Sequence, residues 1–147
     1  MMETTKGCAA AGRYRLAIPT LLDNPLFEKY YPEWVRRCKN AGADIVFLSV
    51  SRCTAAEEEK ERQLALLRKY IPLLREEGLE VGIWLCSLGH GGTCATNDVE
   101  ADDGLTQMLS LDGERAHESN CPLDPAFREL FADWIRRLGS TGPSIIQ

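Results

Sequence analysis

Apolar positions in this chain follow two rhythms, and the switch between them divides it into strand and helix units. Three short apolar runs read as strands: "RLAIPT" (Arg15 to Thr20), "DIVFLSV" (Asp44 to Val50) and "EVGIWLCS" (Glu80 to Ser87). The second is almost continuously apolar, as expected of a parallel strand covered on both faces. After each strand the spacing changes to threes and fours. Trp34, Val35, Cys38 and Ala41 form one stripe within "PEWVRRCKNAG", and Leu64, Leu67, Ile71 and Leu74 form a second. Phe127, Leu130, Phe131, Trp134, Ile135 and Leu138 form the third. Such stripes predict amphipathic helices. Strand and helix in alternation predict an α/β fold with a parallel sheet.

Punctuation residues place the ends. Pro19 falls late in the first strand, and Gly42, Gly78 and Gly139 are helix stops. Thr54 and Glu57 match a capping box opening the second helix, within which Pro72 predicts a kink. Asp124 and Pro125 read as N-cap and first turn of the third. The connection from Ser87 to Leu123 is far longer than an ordinary strand-to-helix link. Within it, "LTQMLSLDGER" with the turn dipeptide Asp112-Gly113 predicts a hairpin. The closing "GPSIIQ" opens a fourth strand. Residues 1–147 are read as one domain, with 1–13 expected to be disordered.

Composition narrows the partners. At 147 residues and 44% hydrophobic, the chain can bury one real core. Seventeen basic against 22 acidic residues give a net charge of −5, which supplies no basic field for nucleic acid or an anionic membrane. No stretch has the pattern of a signal peptide or the length of a membrane span, so the expected location is cytoplasmic. The cysteines Cys8, Cys38, Cys53, Cys86, Cys94 and Cys121 are irregularly spaced and are expected to be free thiols.

In parallel α/β folds, ligands meet the connections leaving the C-terminal strand ends. Here those connections carry Thr20 and Asp23, then Ser49, Ser51 and Arg52, then Cys86 to His90. Hydroxyls, one carboxylate, one guanidinium and one imidazole suit a sugar or polyol bound by many hydrogen bonds, or are ordinary polar loop residues. Trp84, a mid-strand aromatic, reads as core; it would stack on a sugar only from the mouth of the fold. Cys86, His90 and Cys94, with His117 and Cys121, repeat a four-residue interval suggestive of zinc. The glycines of 89–92 cannot form the helix that would align that interval, and no Cys-x-x-Cys pair is present, so no metal is expected. A Cys86–His90 nucleophilic pair has no visible orienting group. Neither a phosphate loop nor a G-x-G-x-x-G is present, so no cofactor is expected.

The succession "AGADIVFLS", "LLREEGLEVGIWLCSLGHGG" and "CPLDPAFRELFADWIRRL" resembles the first part of (β/α)8-barrel proteins related to glycoside hydrolases. The resemblance runs from about Arg15 to the C-terminus. It implies a partial (half) TIM barrel: three complete strand–helix units and a truncated fourth strand. Glycosidic cleavage needs two carboxyl groups, which such barrels carry on the fourth and later strands. Asp98, Glu100, Asp102, Asp103, Asp112 and Glu114 lie on the long connection, a poor platform for a fixed separation, so no catalytic residue is expected and the isolated chain should be inactive. Arg52 and His90 are the expected substrate contacts, and a carbohydrate or other polar small molecule the expected partner. A full barrel takes about 250 residues, so the chain amounts to about half. Self-association is expected through open sheet edges at the first strand and "PSIIQ". The alternative is a small, doubly wound α/β domain that binds a ligand or protein without catalysis.

Overall fold

The computed structural model describes residues 14–22, 24–87 and 104–147. The order is β1 (Ala17–Leu21), α1 (Pro25–Asn40), β2 (Ile45–Val50), α2 (Glu57–Glu76), β3 (Glu80–Leu85), β4 (Gln107–Leu109), β5 (Arg115–Asn120), α3 (Pro125–Gly139) and β6 (Ile145–Ile146). Strands β1, β2, β3 and β6 form a parallel sheet in that order, while β4 and β5 pair as a separate antiparallel hairpin. The hairpin turns at Gly113, whose φ of 82° suits glycine. No barrel is closed by the described strands.

The strand order decides where the helices lie. Right-handed crossovers that always step in one direction deposit every helix on the same face. One core therefore joins Val46 and Leu48 of β2 and Val81 and Ile83 of β3 to Val35 and Cys38, to Leu64, Leu67, Ile71 and Leu74, and to Phe127, Trp134 and Leu138. A doubly wound sheet needs a point where the order reverses. The four parallel strands described have none. The opposite face of the sheet lacks a covering layer among the described residues. Pro19, Phe47, Gly82 and Ile145 form one row across it, and Leu21, Ser49 and Trp84 the next.

Two boundaries differ from the sequence pattern. Helix α1 begins at Pro25 rather than near Pro32, with the Asn24 side chain accepting the Leu26 N–H at 2.9 Å. The extra turns carry Phe27, whose ring lies 4.9 Å from Tyr70, 5.1 Å from Trp34 and 5.8 Å from Tyr31. That aromatic cluster offsets the hydrogen bond lost at Pro32. Helix α2 starts at Glu57 behind Ala56, without a side-chain cap, so the expected Thr54–Glu57 capping box does not form. Glu57 turns instead to Arg137 and to Lys60 Nζ at 3.2 Å, and three first-turn glutamates complement the helix dipole. Pro72 lies inside a helix that is continuous to Glu76. None of the helices in the described residues is long and apolar enough to cross a membrane.

Candidate functional site

The C-terminal strand ends meet at a rim whose best-defined segment is Ser51-Arg52, immediately after β2. Three elements clamp it. The Ser51 N–H donates to Gln63 Oε1 at 2.8 Å, and Gln63 Nε2 donates to Ser51 Oγ at 2.6 Å and to Glu59 Oε1 at 2.7 Å. From α3, Trp134 Nε1 donates to the Ser51 carbonyl at 3.1 Å. From the end of β5, Asn120 Oδ1 accepts from Arg52 Nη2 at 2.6 Å. Gln63, Trp134 and Asn120 are all buried, so each holds its partner away from competing water.

The result is a half-buried guanidinium in a set orientation. Its Nε is buried and has no hydrogen-bond partner among the described residues. A buried donor left unmade is costly, so the guanidinium meets solvent through its Nη groups, one of which Asn120 holds. The Trp134 indole itself lies near two cations, with the Arg137 guanidinium 5.4 Å and Lys60 Nζ 6.0 Å from its ring. Arg137 also holds the Glu57 carboxyl below its ordinary range by a direct hydrogen bond, joined by Lys60. The Arg62 hydrogen bond, chiefly, and Gln63 likewise lower Glu59 and keep it ionised. Glu59 is therefore a poor proton donor.

Of the other expected contacts, Thr20, Ser49 and Cys86 are half-buried at the same rim. His90 and Asp23 lie outside the described residues, as do Cys94, Asp98, Glu100, Asp102 and Asp103. Asp112 and Glu114 are exposed on the hairpin turn. Among the described residues, no three potential ligands assemble into a metal site; His90 and Cys94 lie outside them and the His117 side chain is not described.

Trp84 is corrected from core to surface: it is 38% exposed on the open face, level with Ser49 and Leu21. Gln63 and Asn120 were not visible as site residues. Gln63 had one signal, a polar residue at core spacing beside Leu64 and Leu67. Asn120 had none, because a hairpin 68 positions away brings it to Arg52.

Two clefts among the described residues lie elsewhere. One of about 550 Å³ involves Arg68, Arg75, Ser140 and Thr141, where Arg75 is committed to the Gly142 carbonyl at 2.6 Å. That cleft sits at the opposite end of the sheet from Arg52, below the start of β6. The chain matches no protein-family model, no curated protein and no solved structure.

Proposed function

We propose that the chain is the opening half of a glycoside-hydrolase-like β/α barrel protein, contributing part of a carbohydrate-binding rim without the catalytic carboxylates. The observation that carries the reading is Arg52, whose half-buried guanidinium is held at a strand end by Asn120. A guanidinium so held donates to neighbouring hydroxyl oxygens of a sugar without a large loss of side-chain freedom. His90 is assigned as a second contact on the connection after β3. The one-directional strand order supports the barrel half of the reading, since a barrel grows by adding β/α units on the same hand.

Calorimetric titration of the chain with a panel of oligosaccharides, beside Arg52→Ala, tests the site. Binding should weaken about tenfold or more in the variant, the loss expected for hydrogen bonds from a charged donor. Equal affinities would remove Arg52 from the site. Chromogenic glycosides test the missing chemistry: turnover of any of them by the chain alone would overturn the claim that the carboxylates lie elsewhere.

A further inference from the structure

The sheet's open face is more apolar than a free surface requires, and its edges are poorer for pairing than its face is for packing. Even-numbered residues of β1 bond to β2: the Leu16 carbonyl accepts from the Ile45 N–H at 3.1 Å, and the Leu22 N–H donates to the Ser49 carbonyl at 3.3 Å. The peptide groups of Ala17, Pro19 and Leu21 therefore point to the outer edge. Pro19, at the centre of that edge, has no N–H to offer. At the other end β6 is only two residues long. Short edge strands and an edge proline are the usual devices that stop strand-to-strand extension.

The face carries no such protection. Ala17, Pro19 and Leu21, Ile45, Phe47 and Ser49, Gly82 and Trp84, and Ile145 all lie on it, without a charge among them. Glu80, at its lower margin, is paired with Arg15. Leu21 is 57% exposed, Ile145 45% and Trp84 38%. Large side chains exposed to that degree offer roughly 100 Å² each, which with Ala17, Pro19 and Phe47 gives on the order of 500 Å². Two such faces reach about 1,000 Å², the threshold for a specific contact.

We propose that in the 147-residue chain this face is covered by a second copy of itself, the two sheets stacking through Leu21, Phe47, Trp84 and Ile145 about a two-fold axis. Self-complementarity favours this occupant. An uncharged face meets its own copy without repulsion, and a two-fold contact closes after two copies. Stacked sheets pack about 10 Å apart, a gap that side chains from both faces fill. At Gly82 the surface is set by its neighbours: a Cβ there would stand 2.5 Å from Phe47 Cε1, so the Phe47 ring fills that space.

Sedimentation equilibrium on the whole chain, from low to high micromolar concentration, tests this. A two-copy species is expected. Trp84→Lys and Ile145→Lys should each weaken association by about tenfold or more, the effect of a desolvated charge in a small interface. Circular dichroism should show unchanged fold, because both side chains are partly exposed. If a lysine variant fails to fold, Leu21→Asn provides the same reading. Pro19→Val should leave the stoichiometry at two. A monomer throughout the range overturns the proposal, and so does a dimer indifferent to both lysine variants. Oligomers that lengthen in Pro19→Val overturn it in favour of edge pairing. The inference does not use the Arg52 site, although in a closed barrel the same face would turn inward against further strands. A monomer that still binds sugar through Arg52 removes only the interface, and a dimer blind to sugar removes only the site.

Discussion

Consecutive residues of β3 have opposite fates: Ile83 is fully buried, while Trp84 is 38% exposed. Both are large and apolar, and their backbones share one strand. The difference is that α1, α2 and α3 all cover the Ile83 face, and no described element covers the other. Apolar identity thus marks two kinds of surface here, one buried within this chain and one apolar but open. The first sets stability, because buried apolar area contributes about 25 cal/mol per Å². The second is the face proposed above to meet a second copy.

That contrast can be broken most sharply at the two tryptophans. Trp134→Ala should cost about 3–5 kcal/mol in urea unfolding, from the lost buried ring and the orphaned Ser51 carbonyl. Trp84→Ala, measured where the chain is monomeric, should cost under about 1 kcal/mol, the range of partly exposed positions. Equal costs would mean that both faces are equally buried in solution.

Gly82 tests how closely the open face is packed. An added Cβ would also stand 2.8 Å from Ile145 Cγ2. Gly82→Ala should cost about 1–3 kcal/mol as an overpacking change. Combining it with Phe47→Ala should recover part of that cost, because the ring is then gone. Strict additivity in this double-mutant cycle would show that the ring does not lie over Gly82.

Gln63→Leu removes the clamp on Ser51 from the covered side. The unpaired Ser51 groups should cost about 1–3 kcal/mol in denaturant unfolding, with weaker sugar binding as Arg52 loses its fixed position. Unchanged stability together with unchanged affinity would remove Gln63 from the site.

The smallest effect is pH dependence at Asp124, which caps α3 through the Ala126 N–H at 2.9 Å and holds the Thr106 N–H at 2.6 Å. The Thr106 hydrogen bond, chiefly, lowers its folded pKa. Its contribution is therefore complete above the ordinary unfolded value and lost as pH falls through the lower folded one. Thermal melts should show an acid-side loss of a few degrees that is smaller in Asp124→Asn. Identical pH profiles would assign the acid sensitivity to other carboxylates.

Strand and helix identity was legible because burial imposes its period directly: β2, β3 and α3 lie within two residues of where their stripes put them. The hairpin and fourth strand were legible from Asp112-Gly113 and "SIIQ". Local rules failed where tertiary partners outbid them. The stripe within "PEWVRRCKNAG" placed the first helix around those residues, but Asn24 caps it earlier and the aromatic cluster around Phe27 supports the extra turns. Glu57 matched a capping box, but Arg137 from α3 takes its carboxylate.

The sequence by itself determined the elements, their order and the presence of one apolar core, since these follow from spacings within single segments. Only the tertiary structure decided which sheet face is covered, because that depends on the common direction of three crossovers. It also decided that Trp84 is exposed while Ile83 is buried. Arg52 and Asn120, 68 positions apart, become a pair only once β5 folds back toward the end of β2. A hydrophobic period is local, so a sequence carries it openly. A contact between distant segments exists only after the chain has closed.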